Sequence, residues 1–152
     1  MKLLIDGDGC PVIREAEKAA SLYGIPSIIF CDTSHQISSE ISEMEVVEEG
    51  NDSADFILMK RVCEGDVVIT QDYGLASLVL AKKAYAFHQN GWQYTEWNID
   101  RLLMERYEGK KARRRKRNHL KGPAKRKKED NENFFQNLCR FFEGRKYRTV
   151  LH

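Results

Sequence analysis

The sequence predicts an α/β protein in which a mainly parallel sheet lies between layers of helices. Two observations support this class. Four short apolar runs alternate along the chain with longer segments whose apolar residues recur at helical spacing, and glycine, proline or asparagine separates most of these segments. With 152 residues and 41% hydrophobic residues, the chain is long enough to bury a core without disulfide bonds.

The first third of the chain contains two predicted strands around one helix. Residues 2–5 form an apolar run, and residues 27–31 form a second one. Pro11 suits the first turn of a helix, and Gly24 suits its C-terminal cap. The apolar face of this helix is predicted to contain Val12, Ala16, Ala19, Ala20 and Tyr23.

The middle of the chain repeats this alternation. Residues 33–45 are predicted to be a loop and 45–48 a short strand. A helix over 53–64, capped by Asn51 or Asp52, precedes a strand over 67–70. A helix over 73–83 and a strand over 84–88 follow, and a last helix of the body, capped by Thr95 or Asn98, runs to about Arg106.

Charge divides the chain into three predicted parts. Residues 1–109, the α/β domain, hold 19 acids and 9 bases, whereas residues 110–128, a basic segment, hold 12 bases and no acid. Residues 129–152 are predicted to form a helix whose apolar face packs against the domain through Phe134, Phe135, Leu138, Phe141 and Phe142. An acidic body with a basic segment indicates a cation site and a polyanion partner on one molecule.

Aspartates follow the predicted strands or start the predicted helices. Asp6 and Asp8 come after the first strand, Asp52 and Asp55 lie at a helix start, and Asp72 follows the strand over 67–70. Ligands of open parallel sheets bind beyond the carboxyl ends of the strands, so we expect these acids to gather there. Clustered carboxylates repel, and Mg²⁺ or Mn²⁺ would relieve that repulsion.

Each acid also has a structural alternative. Asp52 suits a helix cap better than a metal ligand, Asp66 suits a turn, and Asp32 suits a solvated loop. Asp6 differs because an acid that abuts a buried strand needs a partner.

Cys10 is a nucleophile candidate but suits a small buried residue better, and His35 and His88 suit the surface or packing. Three aromatic residues either stack bases or cover the sheet edge: Trp92, Tyr94 and Trp97.

The basic segment is predicted to bind nucleic-acid phosphates, RNA above all. Its candidate contacts are Lys110, Lys111, Arg113, Arg114, Arg115, Lys116 and Arg117. A solvated helix extension and a strap over the acidic body are the alternatives. The apolar runs are shorter than the roughly 20 residues of a membrane helix. The four cysteines form no CxxC pair, which favours free thiols in the cytoplasm.

Together these motifs resemble the YaiI/YqxD family of bacterial proteins. The resemblance covers Ile-Asp-Gly-Asp-Gly-Cys-Pro-Val at 5–12, Asp-Ser-Ala-Asp at 52–55, residues 65–76 and residues 94–100. The family is similar in outline to PIN-domain nucleases, whose three acids match Asp6, Asp55 and Asp72, with Asp8 or Asp52 as the fourth. The resemblance implies a PIN-like three-layer sandwich that cleaves RNA or DNA with Mg²⁺ or Mn²⁺.

Three functions therefore remain open. The first is a metal-dependent nuclease acting through the aspartate cluster. The second is a non-catalytic protein that binds RNA or ribosomes. The third is a phosphatase of the haloacid dehalogenase type, which the Asp-Gly-Asp sequence at 6–8 allows.

Overall fold

The computed structural model describes residues 1–33, 37–49, 53–116 and 125–151, with 110–116 and 147–151 described by their helical backbone. Eleven elements follow one another in these residues. The strands are β1 (Leu3–Asp6), β2 (Ser27–Asp32), β3 (Glu43–Val47), β4 (Val67–Ile69), β5 (Tyr85–Phe87) and β6 (Gln93–Tyr94). The helices are α1 (Ile13–Leu22), α2 (Ala54–Arg61), α3 (Tyr73–Ala81), α4 (Ile99–Lys116) and α5 (Lys128–Leu151).

The strands form one six-stranded sheet in the order β3-β2-β1-β4-β5-β6. Every neighbouring pair is parallel except β5 and β6. In the centre, Ile5 of β1 is level with Ile29 of β2 and Ile69 of β4. The chain first leaves β1 towards β2 and later returns to its other side as β4. The carboxyl ends of β1 and β4 therefore flank a topological switch point, where such sheets open a crevice for ligands.

Two apolar clusters cover the two faces of the sheet. On one face, Leu4 and Val68 pack with Leu58 of α2 and Val79 of α3. On the other face, Ile5 and Ile69 pack with α1 and with three residues of α5. Those three, Phe134, Leu138 and Phe142, are almost fully buried. Strand residues alternate between the faces, so each helix layer covers every second strand residue.

The predicted class, an α/β protein with a mainly parallel sheet between helices, is confirmed. Strand β6 was not predicted, because only two residues pair and they follow a turn closely. The predicted end of α4 near Arg106 was wrong. The helix continues through Gly109 to Lys116, because the lysines and arginines that follow are good helix formers.

The predicted caps had different outcomes. The cap of α2 is Ser53, whose hydroxyl accepts a hydrogen bond from the amide of Phe56 at 3.4 Å, so the prediction of Asn51 or Asp52 was wrong. Asn51 and Asp52 lie outside the described residues. Thr95 and Asn98 both act before α4, because each side chain accepts the other's backbone N–H. This reciprocal pair fixes the start of α4.

Candidate acidic site at the carboxyl ends of the strands

Asp6 is the last residue of β1 and lies at the switch point. Its side chain points to the same face as Leu4, which packs against α2 and α3. Across the crevice, Thr70 directly follows β4 and donates a hydrogen bond of 2.8 Å to Oδ2 of Asp6. The two central strands are thus joined at their carboxyl ends by one side-chain hydrogen bond.

Thr70 organises the site although it carries no charge. It is 2% exposed, and its hydroxyl accepts the backbone N–H of Asp72 at 3.0 Å. Its carbonyl oxygen accepts the hydroxyl of Tyr94, a fully buried residue of β6, at 3.1 Å. Strand β6 therefore braces the end of β4 from the side. Thr70 sets the positions of Asp6 and Asp72 relative to each other.

Asp72 is the N-terminal cap of α3. Its Oδ1 atom accepts the backbone N–H groups of Gly74 at 2.9 Å and Leu75 at 3.2 Å. The guanidinium of Arg106, from α4, lies 3.7 Å from the same oxygen. Oδ2 has no hydrogen bond from the described part of the chain. The helix terminus therefore orients one carboxylate oxygen of Asp72.

The turn after β1 brings a second carboxylate to the same edge. The amide of Gly7 donates to the carbonyl of Phe30 at 2.8 Å, and an added Cβ at Gly7 would lie 2.9 Å from that oxygen. Only glycine fits there without moving β2. One residue later, Oδ1 of Asp8 accepts the backbone N–H of Asp32 at 3.3 Å. The close approach of the turn to β2 thus places Asp8 beside the ends of β1 and β2.

Burial and neighbouring charge both act on Asp6. Burial raises its pKa most strongly, the hydrogen bond from Thr70 opposes this, and the charges of Asp55, Asp8 and Asp72 raise it further, to about 6. Asp55 lies in the first turn of α2, behind the Ser53 cap. The charges of Asp8, Asp55 and Asp72 thus all act on Asp6, and a common ligand site formed by the four acids stays a prediction. Asp52 lies outside the described residues.

A hard divalent cation prefers oxygen donors such as these carboxylates. Among residues 1–33, 37–49, 53–116 and 125–151, no three acid, histidine or cysteine side chains form a ready ligand set for one ion. Mg²⁺ does not require such a set, because it keeps several waters and is commonly held by one or two carboxylates. Such an ion would offset the repulsion that raises the pKa of Asp6. The metal site nevertheless remains a prediction.

Sequence reasoning missed three residues of the site: Thr70, Tyr94 as a brace, and Arg106. Thr70 had a signal, since a hydroxyl residue ends the apolar run Val67–Ile69 two positions before Asp72. Arg106 had none, because its approach to Asp72 depends on how α4 packs against α3.

Other sequence candidates have structural roles. Asp66 lies at the opposite end of the sheet, where it accepts the backbone N–H and the ammonium group of Lys2. Burial, above all, raises the pKa of the Cys10 thiol to about 11, which disfavours the thiolate at neutral pH. His88 stacks on Trp92, and burial lowers its pKa to about 4. Trp97 is 91% exposed and covers nothing.

The basic segment is described only in part. Residues 110–116 continue α4, so Lys110, Lys111, Arg113, Arg114, Arg115 and Lys116 follow Arg106 along one helix. Arg117 lies outside the described residues. None of the helices that the structure describes is long and apolar enough to cross a membrane.

Fold and site together define a three-layer α/β protein with Asp6 and Asp72 at the switch point of its sheet. Residues 4–144 match the family described as uncharacterised BCR, YaiI/YqxD family, and the chain belongs to this family. A UPF0178 protein of Clostridium acetobutylicum is 48% identical over 135 residues, covering 88% of this chain and 91% of the relative. A UPF0178 protein of Natranaerobius thermophilus is 43% identical over 140 residues, covering 92% and 94%.

Among solved structures, the chain is similar to the crystal structure of a W164L mutant of Rae1 (YacP) from Bacillus subtilis. The two share 17% identity with a TM-score of 0.47, and the match covers 95% of this chain and 99% of the other.

Proposed function

We propose that the protein is a metal-dependent nuclease that hydrolyses RNA or DNA phosphodiesters through Asp6, Asp8, Asp55 and Asp72. One observation carries the proposal: a largely buried carboxylate, Asp6, lies in the field of three others at the switch point of the sheet. No described hydrogen bond joins it to a lysine or arginine. A divalent cation would offset the repulsion that this arrangement creates.

The open carboxylate oxygens support a metal-binding role. Thr70 holds Oδ2 of Asp6, and the start of α3 holds Oδ1 of Asp72. Within the described residues, the second oxygen of each accepts no hydrogen bond. Two acids with one fixed and one open oxygen are preorganised ligands. Asp55 and Asp8 would complete the charge around the ion.

Mg²⁺ or Mn²⁺ held there would activate water and neutralise charge that builds on a phosphoryl oxygen. The chain's own groups would position the substrate. Arg106 is exposed, lies beside Asp72, and can bind a phosphate through its planar guanidinium. The basic residues 110–116 continue the same helix and would hold the strand's other phosphates. The resemblance of Asp6, Asp55 and Asp72 to the acids of PIN-domain nucleases adds support.

A cytoplasmic location is part of this proposal. The four cysteines, all within described residues, are free, as expected in a reducing compartment. RNA is the substrate class we favour.

The test is cleavage of labelled single-stranded RNA and DNA with Mg²⁺ or Mn²⁺, against the same reaction with a chelator. Asp6→Asn and Asp72→Asn should each reduce cleavage at least 100-fold. Asp100→Asn, which changes an exposed acid in the first turn of α4, is the matched control and should keep full activity. Cleavage that survives both site variants would refute the proposal.

Two other outcomes identify the alternatives. If the wild-type protein binds RNA without cleaving it, and both site variants bind equally well, the protein is a non-catalytic binder. An acyl-phosphate trapped on Asp6 would identify a phosphatase instead.

A further inference from the structure

A cleft adjoins the acidic site on the side of α4. Its volume is about 960 Å³, which is large enough for a nucleotide. The two neighbours of Asp72, Gln71 and Tyr73, line it, so the cleft and the acidic site share a wall. Residues 88–90 with Trp92, Arg106 of α4 and residues 125–127 form the other walls.

The floor of the cleft is aromatic and fixed. The rings of His88 and Trp92 stack with centroids 4.5 Å apart and an interplanar angle of 8°. Tyr73 and the buried Tyr94 contact Trp92 edge-on, with centroids at 6.5 Å and 4.7 Å. The backbone N–H of Asn90 donates to Nδ1 of His88 at 3.1 Å, which fixes the orientation of the imidazole. A preorganised aromatic surface of this kind suits stacking by another flat ring.

The charges of the cleft are mixed. Lys125, Arg126, Lys127 and Arg106 line it, but so do Glu105, Glu129 and Asp130. Arg126 is committed to the protein, because its guanidinium donates to Asn131, Asn90 and the carbonyl of Gln89 at 2.5–2.7 Å. A groove for consecutive phosphates would be uniformly positive. Mixed charge over an aromatic floor instead favours a flat, neutral group with polar edges.

Polar groups also surround the floor. Gln71 and Gln89 line the cleft and bring side-chain amides that can donate and accept hydrogen bonds. The Asn90 side chain can still donate through its NH₂ group, since its oxygen accepts from Arg126. A nucleobase has both properties that these walls match, a flat face and polar edges. Such a base must be unpaired, because a paired base is stacked within its own helix.

We propose that this cleft binds one unpaired nucleobase of a strand whose backbone passes the acidic site. The inference rests on the proposed function for the strand's path, and it adds a single-stranded substrate class. Stacking would tolerate any of the bases, since each has a flat π-face. Arg106, 5.9 Å above the Tyr73 ring and next to Asp72, lies between base and scissile phosphate.

The experiment measures binding without catalysis. In a Trp97→Phe background Trp92 is the one tryptophan, and its fluorescence is followed while a uridine hexanucleotide is added in the presence of a chelator. We expect saturable quenching by the hexanucleotide, and much weaker quenching by a blunt RNA duplex at equal nucleotide concentration. Absence of quenching by the single strand, or equal quenching by the duplex, would overturn the inference.

A matched pair of variants gives a second readout by anisotropy of a labelled hexanucleotide. Trp92→Leu should weaken binding about tenfold and leave the slope of log affinity against log salt unchanged, because no charge is removed. Trp97→Leu changes an exposed tryptophan outside the cleft and should bind as the wild type does. Equal losses in both variants would contradict base stacking in the cleft. If Trp92→Leu fails to fold, the quenching experiment still decides.

The two proposals can fail separately. Binding with Trp92 quenching but no metal-dependent cleavage would refute the nuclease proposal and support nucleobase binding in the cleft. Cleavage by Trp92→Leu with full affinity for the hexanucleotide would refute nucleobase binding in the cleft and support the nuclease proposal.

Discussion

The hydroxyl of Thr70 lies 2.8 Å from Oδ2 of Asp6 and joins the carboxyl ends of β1 and β4. The same hydroxyl accepts the amide of Asp72, so one uncharged side chain sets the position of two acids from distant segments. The acidic site is therefore part of the packing between the two central strands.

Replacement of Thr70 tests this link. Thr70→Val removes both hydrogen bonds while keeping the side-chain shape, and we expect it to lower the free energy of unfolding by about 1–3 kcal/mol. The pKa of Asp6 should rise further, because the Thr70 hydrogen bond lowers it. Chemical denaturation and carboxylate NMR titration measure these two effects. Thr70→Ser keeps the hydroxyl and should lower the free energy of unfolding much less. An equal fall in both variants would refute the role of the hydroxyl.

Asp6 should make the metal-free protein less stable as the pH rises. Its pKa is about 6 in the folded protein against the ordinary value of 3.8, so the folded state binds more protons between these values. Its stabilising contribution is complete below pH 3.8 and is lost as the pH rises through 6. Asp6→Asn should match the wild type near pH 4 and exceed its free energy of unfolding by about 3 kcal/mol above pH 7. A difference that does not change with pH would contradict this.

Asp66 provides the opposite case at the other end of the sheet. Burial alone would raise its pKa, but hydrogen bonds from Lys2 and Cys63 outweigh burial and lower it. Its contribution is present above the ordinary value of 3.8 and is lost as the pH falls below it. Asp66→Asn should therefore destabilise the protein at pH 7, by on the order of 2 kcal/mol. Denaturation curves of the two asparagine variants at pH 7 should shift in opposite directions.

Asp72 combines a capping role with the proposed metal role, and two substitutions separate them. Asp72→Ala removes the acceptor for Gly74 and Leu75 and should cost about 1 kcal/mol of unfolding free energy. Asp72→Asn keeps a capping oxygen and should stay within a few tenths of a kcal/mol of the wild type. Both should lose metal-dependent cleavage. If Asp72→Asn retains cleavage activity, the metal-binding role of Asp72 is refuted and only its role as the cap of α3 remains.

The basic segment is tested by the salt dependence of RNA binding. Replacing Arg113, Arg114 and Arg115 by alanine should flatten the slope of log affinity against log salt, by about 0.7 for each phosphate contact to a single strand. The charge-matched control replaces three exposed basic residues outside the segment by alanine: Arg14, Lys60 and Arg140. The same flattening in both triple variants would show that only net charge matters.

Local patterns predicted most of this fold. The run Val67–Ile69 is fully buried as β4, and the apolar face of α5 is buried through Phe134, Leu138 and Phe142. Asp6 and Asp72 lie at the same edge because parallel strands end there, and Thr70 links them. By contrast, β6 and Arg106 depend on contacts between distant segments, which no local periodicity encodes. The sequence does not single out Ser53 as the α2 cap, because Asn51 and Asp52 are equally good caps one or two residues earlier.

The proposed mechanism requires that the carboxylates at the carboxyl ends of β1 and β4 bind a divalent cation. Anomalous diffraction from crystals soaked in Mn²⁺ tests it most directly, with Asp6→Asn crystals treated in the same way. We expect a manganese peak that contacts Asp6 and Asp72 in the wild type and is absent from the variant. A wild type that binds manganese elsewhere and shows no peak between these two carboxylates would contradict it.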